Sequence, residues 1–182
     1  MKLRNSYNAS TLIELLGAIS FATWAHGGQK RGGKDEEPYV THPLAVCTIL
    51  LMCNIDGVEI LIASILHDIL EDTKVKPGEL IEKYGEMVTW YVELVSKREG
   101  VSTEDYYTGI ASSPEASMIK IADRIHNLCT MQDFFSTKKQ ASYIAETEKY
   151  ILPLTKHANY KLTEMLEGAI ELAKLNLNRR LR

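Results

Sequence analysis

Leu66-His67-Asp68-Ile69-Leu70-Glu71-Asp72 is the most informative stretch of this 182-residue chain, because it sets polar groups among strongly apolar residues. His67 and Glu71 are four residues apart, and so are Asp68 and Asp72, so a continuous helix would turn all four side chains roughly the same way. The apolar residues before and within the stretch indicate a helix that runs through a core. An imidazole and three carboxylates are costly to bury there without a cation. The stretch therefore predicts a metal site.

The rest of the chain follows the same helical period, and no segment alternates as a β-strand does. Capping and breaking residues divide it into helices that we expect to begin near Thr11 (a capping box with Glu14), His42, Asp56, Pro77, Met87, Pro114, Thr137 and Leu154. The third should end near Thr73 and the last near Leu175. We expect a loop at residues 29–41, no helix between residues 97 and 112, and a frayed end at 176–182. The prediction is an all-α fold, one domain over residues 1–182 with roughly eight to ten helices.

Composition and charge limit the functional classes. The net charge of −3 gives no overall basic field, so neither nucleic acid nor a membrane surface is an expected partner. The N-terminal residues lack the apolar core of a signal peptide, and the longest apolar run, residues 44–53, is about half of what a membrane span needs. The three cysteines form no CxxC motif and are expected to be reduced thiols. We therefore expect a cytoplasmic protein.

Four candidate metal ligands occur on or beside predicted core helices: His42, His67, Asp68 and Asp123. A single histidine on an apolar helix is more often an ordinary core residue, but here two histidines accompany two aspartates. Two imidazoles and two carboxylates suit Mn²⁺, Fe²⁺ or Zn²⁺ with positions left open for water. The absence of thiolate ligands argues against a structural zinc site. Mn²⁺ is the first choice.

Four blocks of the sequence resemble the HD-domain phosphohydrolase superfamily, and within it the hydrolase domain of the Rel/SpoT alarmone enzymes. The resemblance extends to the stand-alone small alarmone hydrolases, including the metazoan SpoT homologue. The blocks are Gln29-Lys30-Arg31 with residues 37–43 (EPYVTHP), residues 65–73 (ILHDILEDT), residues 119–128 (IKIADRIHNL) and residues 148–154 (EKYILPL). Together they extend over about residues 10–155, which is most of the chain.

The resemblance implies one Mn²⁺ ion, bound by His42, His67, Asp68 and Asp123. Glu71 and Asp72 would not be ligands but would orient and deprotonate the attacking water. The alternative for these two carboxylates is a solvated end of a helix. His126 does not lie at a ligand position of the family and is left out of the predicted site.

The resemblance also suggests substrate contacts. Arg31 would stack on a nucleobase through its planar guanidinium group. Asn127, one helical turn after Asp123, would bond to a ribose hydroxyl or a phosphate, or else be a surface amide. Tyr150 would contact the ribose or pack in the core. Lys30 and Lys34 would contact the substrate or be ordinary loop charges.

By this resemblance the chain is expected to be a Mn²⁺-dependent hydrolase that removes the 3′-diphosphate of guanosine tetra- or pentaphosphate, giving GDP or GTP and pyrophosphate. One departure matters: residues 99–113 contain no lysine or arginine, whereas relatives tend to have basic residues there for the diphosphate. Another phosphorylated nucleotide, such as NADPH with its 2′-phosphate or an adenine alarmone, therefore stays open as the substrate. A nucleotide-binding regulatory module with little turnover is the third possibility. The expected partner in each case is a small phosphorylated nucleotide.

Overall fold

Nine α-helices make up most of the described part of the chain, residues 8–32 and 37–181, in this computed structural model. Lys34, one of the predicted substrate contacts, lies outside these residues. The helices are α1 Ala9–Ala25, α2 Thr41–Met52, α3 Val58–Leu66, α4 Ile69–Asp72, α5 Pro77–Val95, α6 Thr103–Ala111, α7 Pro114–Thr130, α8 Thr137–Glu146 and α9 Tyr160–Arg180. Within the described ranges the β-structure is one isolated bridge between Lys30 and Pro38. The predicted all-α fold is confirmed.

Side-chain caps determine where several helices begin. Asn8 accepts a hydrogen bond from the backbone N–H of Thr11, so α1 begins at Ala9. The predicted cap at Thr11 is therefore wrong by three residues. Ser102 caps α6 in the same way by accepting from the N–H of Asp105 at 3.1 Å. This nine-residue helix was not predicted.

The predicted continuous helix from Asp56 to Thr73 is wrong, because the chain turns at His67 and Asp68. The break has a local cause. His67 Nδ1 lies 2.8 Å from the carbonyl oxygen of Ser64, which a continuous helix would use for the N–H of Asp68. The chain resumes as α4, where the Asp68 carbonyl accepts from the N–H of Asp72 at 2.9 Å. His67 and Asp68 therefore lie in a turn between two helices.

Two further helices differ in outline from the prediction. Gly85 interrupts α5 with φ +82° and ψ 172°, a conformation open to glycine, so the two predicted helices around it are two halves of one kinked helix. The last helix begins at Tyr160 rather than Leu154, because a π turn (Thr147–Ile151) and a 3₁₀ turn (Leu152–His157) precede it. It also continues to Arg180, whose Nη1 donates to the carbonyl of Gln132 at 2.7 Å. The predicted frayed end is wrong over these residues.

Helices α3 and α7 form the centre of the molecule. Every residue of α3 from Ile60 to Leu66 is buried, and α7 buries residues along most of its length. Helices α1, α2 and α5 pack against α3, while α2, α5, α6 and α9 pack against α7. Cys47 and Cys53 are buried, Cys129 is exposed, and all three thiols are free. Among the described residues, no helix combines the length and apolar character that a bilayer span requires.

Candidate metal centre and pocket

Three buried residues converge where α2, the end of α3 and α7 meet. His42 lies in the first turn of α2, His67 follows α3, and Asp123 lies in the middle of α7. Their exposed fractions are 3%, 2% and 4%. Each offers a ligand atom, and these atoms all lie within 4.8 Å of one another. Three residues distant in sequence thus form one group of donors that could hold a divalent cation.

Asp68, the fourth predicted ligand, lies beside this group. Its Oδ2 is 3.1 Å from Nε2 of His67 and 3.4 Å from Nε2 of His42. The hydroxyl of Tyr39 donates a hydrogen bond to the same oxygen at 2.6 Å. Burial alone raises the pKa of Asp68, but the His67 and His42 imidazoles lower it well below its usual range. The carboxylate is therefore ionised.

The environment of His67 fits a cation at the centre of the group. Its Nδ1 donates to the carbonyl of Ser64, so the lone pair of the neutral ring is on Nε2. This Nε2 is fully enclosed and makes no hydrogen bond within the described structure. Burial alone lowers the pKa of His67, but Asp68 and Asp123 raise it to about 9. The two carboxylates thus favour a positive charge at Nε2, and a bound divalent cation would supply it.

Asp123 has separate partners for its two carboxylate oxygens. Oδ1 lies 3.2 Å from Nε2 of His42 and accepts from the side-chain amide of Asn127 at 2.5 Å. Oδ2 lies 2.9 Å from Nζ of Lys120. Burial raises the pKa of Asp123, but Lys120 and the two imidazoles outweigh it and lower this pKa far below its usual range. Asp123 is thus a fixed negative charge facing both histidines.

Glu71 and Asp72 lie at the edge of the same site, in α4. Glu71 Oε1 accepts a hydrogen bond from the backbone N–H of Lys97 at 2.6 Å. Desolvation raises the pKa of Glu71, and the bond from Lys97 offsets this only in part. The backbone carbonyl of Asp72 accepts from the amide of Gln29 at 2.6 Å. The N–H of Asp72 donates to the carbonyl of Asp68 at 2.9 Å, so these two residues are one helical turn apart in spite of the turn at His67.

A cavity of about 570 Å³ opens over the metal-ligand group and includes Glu71 and Asp72 in its wall. Six aromatic residues line it: Tyr39, Tyr106, Tyr107, Phe134, Phe135 and Tyr143. Five cationic residues also line it: Arg31, Lys97, Lys120, Arg124 and Lys139. The volume is typical of a small-molecule site, and aromatic walls with several cations suit a phosphorylated aromatic ligand. Residues 99–113 contain no lysine or arginine, and the cations of the cavity come instead from the loop before α2, from the residues just after α5, and from α7 and α8.

Two predicted substrate contacts line this cavity. The guanidinium of Arg31 donates to Oδ1 of Asn127 at 2.5 Å and to Thr130 at 3.2 Å. It also lies over the ring of Phe134, with 5.5 Å to the centroid. Because the amide of Asn127 donates to Asp123, Asn127 bridges the arginine and the metal-ligand group.

The other predicted contacts are not in the lining. Tyr150 stacks on Tyr107, with 4.7 Å between ring centroids, and its hydroxyl donates to Glu104. Lys30 is exposed in the loop before α2 and pairs with Pro38 through the isolated bridge. The structure therefore brings Arg31 and Asn127 to the site and leaves Tyr150 one ring away from it.

Two side chains near the site were not predicted. Arg124, which is buried, donates to the Tyr107 hydroxyl at 2.9 Å and to Glu146 at 2.8 Å, and so ties α7 to the opposite pocket wall. His126 lies with its Nδ1 2.8 Å from Nδ1 of His42. Both residues lie in the block 119–128, and this position was their only signal in the sequence. Arg124 directly follows Asp123, and His126 directly precedes Asn127.

Comparison with known proteins shows which family the chain is similar to. A family model described as HD domain matches residues 18–113. The chain is similar to a GTP pyrophosphokinase of Streptomyces coelicolor, with 36% identity over 154 residues, which is 80% of this chain and 18% of that protein. It is also 36% identical over 149 residues to a guanosine-3′,5′-bis(diphosphate) 3′-pyrophosphohydrolase of Aquifex aeolicus, covering 78% of this chain and 21% of that protein. The chain thus spans about a fifth of the length of these curated relatives.

One solved structure is similar over almost the whole chain. It is that of a metazoan ortholog of SpoT that hydrolyzes ppGpp, and it aligns with a TM-score of 0.80. The alignment covers 92% of this chain and 98% of that one, with 24% sequence identity. The likeness supports the helical fold described above.

Proposed function

This chain belongs to the HD-domain family, as the sequence blocks indicated, and we propose that it is a metal-dependent phosphohydrolase. The substrate that we propose is guanosine tetra- or pentaphosphate, from which it removes the 3′-diphosphate to give GDP or GTP and pyrophosphate. The names of two relatives support this choice: the Aquifex aeolicus protein is a 3′-pyrophosphohydrolase, and the metazoan SpoT ortholog hydrolyzes ppGpp. The described helices also share one apolar core, which supports our proposal that residues 1–182 are one domain.

One observation carries the proposal. The enclosed, unbonded Nε2 of His67 faces two ionised carboxylates, Asp68 and Asp123, and both of these line a cavity together with cations and aromatic rings. We propose that His42, His67, Asp68 and Asp123 bind a single Mn²⁺, with Fe²⁺ or Zn²⁺ as alternatives. When bound, such an ion would polarise the attacking water and the phosphoryl oxygens.

The chain's own residues would supply the remaining chemistry. Glu71 would accept a proton from the attacking water at Oε2, because Oε1 is already occupied by the N–H of Lys97. Its raised pKa brings this base closer to neutral pH. Asp72, next in the wall, would orient the same water. The water would then attack the phosphorus bonded to the ribose 3′-oxygen, and the bond between that phosphorus and the 3′-oxygen would break. The 3′-oxygen would take up a proton and leave as the hydroxyl of GDP or GTP, and the attacked phosphorus would depart in pyrophosphate with the oxygen of the water.

Cationic residues around the cavity would neutralise the substrate's diphosphates. Lys97 and Lys139 line the cavity without a carboxylate within ion-pairing distance in the described structure. We propose that Arg31 stacks on the nucleobase and that Asn127 holds it against Asp123, since its amide already bonds to both. Lys30, Lys34 and Tyr150 remain proposed substrate contacts.

The test is a hydrolysis assay with Mn²⁺ on guanosine tetraphosphate, with NADPH and adenine alarmones tested in parallel. Products are separated by ion-exchange chromatography, and the variant His67→Ala/Asp68→Ala is the control. We expect GDP and pyrophosphate from the wild type and neither from the variant. Orthophosphate from NADPH, or cleavage of adenine alarmones alone, would contradict the proposed substrate. Nucleotide binding without any product would contradict the enzyme and favour a regulatory module.

A further inference from the structure

The two ring nitrogens of His42 have different surroundings. Nε2 faces the metal-ligand group, 3.2 Å from Oδ1 of Asp123 and 3.4 Å from Oδ2 of Asp68. Nδ1 points the other way and lies 2.8 Å from Nδ1 of His126. The ring itself is buried. A buried imidazole with one nitrogen at a metal site needs a partner for the other nitrogen.

A hydrogen bond between two imidazole nitrogens uses a single proton, so one ring donates and the other accepts. Binding of a metal at Nε2 of His42 requires a lone pair there, and the proton of the neutral ring must then be on Nδ1. His42 would thus donate from Nδ1, and His126 would accept at its own Nδ1. The metal-binding form of His42 therefore needs an acceptor at the position that His126 occupies.

We propose that His126 is a positioning residue of the metal centre, because its Nδ1 accepts the proton of His42 Nδ1 and so presents Nε2 of His42 to the metal. This inference rests on the metal centre proposed above. The two rings are 5.0 Å apart between centroids and inclined by 33°. His126 is three residues after Asp123 on the buried helix α7, so one helix supplies both a ligand and the acceptor for a second ligand.

A comparison with His67 shows why the acceptor for Nδ1 of His42 is a side chain and not a backbone carbonyl. His67 follows the end of α3, where the carbonyl of Ser64 is free to accept from its Nδ1. His42 lies instead in the first turn of α2, and the carbonyl three residues earlier, that of Tyr39, already accepts from the N–H of His42 at 3.0 Å. Nδ1 of His67 therefore donates to a nearby backbone carbonyl, whereas Nδ1 of His42 has a side chain of another helix, His126, as its acceptor.

The test compares two substitutions of nearly equal size. The variant His126→Asn places an amide oxygen close to the former Nδ1, whereas His126→Leu places a methyl group there. Cys129→Ala, on the exposed side of the same helix, is the control. We expect His126→Leu to raise the Kd for Mn²⁺, measured by titration calorimetry, about 10- to 100-fold. His126→Asn should stay within about threefold of the wild type, as should the control.

A second measurement on the wild type does not depend on any variant folding. In protein labelled with ¹⁵N-histidine and loaded with diamagnetic Zn²⁺, NMR should show the His42 proton on Nδ1 and none on Nδ1 of His126. A proton on Nδ1 of His126 would overturn the proposal.

The calorimetric outcomes separate this inference from the proposed function. Failure of the wild type to bind Mn²⁺ would overturn the metal centre itself, and the role of His126 with it. Binding by the wild type and equally tight binding by His126→Leu would overturn only the role of His126. Equal losses in the Leu and Asn variants would also overturn it, because they would indicate a need for the ring's shape and not for an acceptor.

Discussion

Nζ of Lys120 lies 2.9 Å from Oδ2 of Asp123, the carboxylate oxygen that does not face the histidines. Both side chains are largely enclosed, with exposed fractions of 14% and 6%. Burial alone lowers the pKa of Lys120, but Asp123 raises it well above its usual value, so the lysine is charged. Lys120 thus binds Oδ2 of Asp123, and Oδ1 stays directed towards the histidines of the site.

Replacing Lys120 by methionine should therefore destabilise the protein. The change leaves Asp123 without its ammonium partner, and breaking a buried ion pair in this way costs about 3–5 kcal/mol of unfolding free energy. Chemical denaturation of the metal-free protein measures the loss. Lys174→Met is the matched control, since its ion pair with Glu148 is about half exposed on both sides and should contribute less than about 1 kcal/mol. Equal effects of the two substitutions would contradict the importance of the buried pair.

Added Mn²⁺ should raise the melting temperature. A ligand at about 100 times its Kd stabilises the folded state by about 2.7 kcal/mol when it does not bind the unfolded chain. For a protein of this size that corresponds to a shift of roughly 5–10 °C in differential scanning calorimetry. His67→Ala should show little shift, and chelation should reverse the effect in the wild type. A similar shift in both proteins would place the metal elsewhere.

The rate of hydrolysis should fall on the acid side with the protonation of Glu71. Desolvation raises the pKa of this carboxyl, and the ionised form is the proposed base, so activity is present above the raised pKa and lost as the pH falls through it. A pH profile of kcat/KM should show this limb. Glu71→Gln should lose about 10²- to 10⁴-fold in rate and lack the limb while still binding Mn²⁺. An unchanged acid limb in that variant would assign the titration to another group.

Gly85→Ala should destabilise the protein through the backbone alone. At φ +82° and ψ 172° a side chain is strained, although a methyl group there would meet no atom within 4 Å. We expect a loss of about 1–3 kcal/mol in unfolding free energy. Gly78→Ala tests the same change in the first turn of α5, where the space is equally open and φ is not positive. It should be neutral or slightly stabilising, because alanine favours helix over glycine. A neutral Gly85→Ala would show that the kink tolerates a side chain.

The sequence predicted the fold class and the group of candidate ligands because both leave local signals. Helical periodicity gave most of the helices, and the motif blocks pointed to four residues that the structure brings together at the meeting of α2, α3 and α7. Helix α6 also had a local signal, in the spacing of Ser102 and Asp105, although it was not predicted.

The remaining features depend on contacts between distant segments. His126 contacts His42, which is 84 positions away in the sequence. No local sequence pattern predicts that a side chain will accept a hydrogen bond from the ring nitrogen of His42 that does not face the metal-ligand group. Arg124 donates a hydrogen bond to Glu146, which is 22 positions away. The break at His67 is local but depends on competition for one carbonyl, which periodicity does not detect because the apolar pattern continues through the turn.

The bond from the Lys97 backbone to Glu71 has an evolutionary consequence. Every amino acid except proline carries the N–H that holds Oε1, so position 97 can change its side chain without releasing the carboxylate. That side chain also lines the cavity, on the side where phosphates are expected. Related enzymes can therefore diverge in substrate preference at this position while the proposed proton acceptor, Glu71, stays in place.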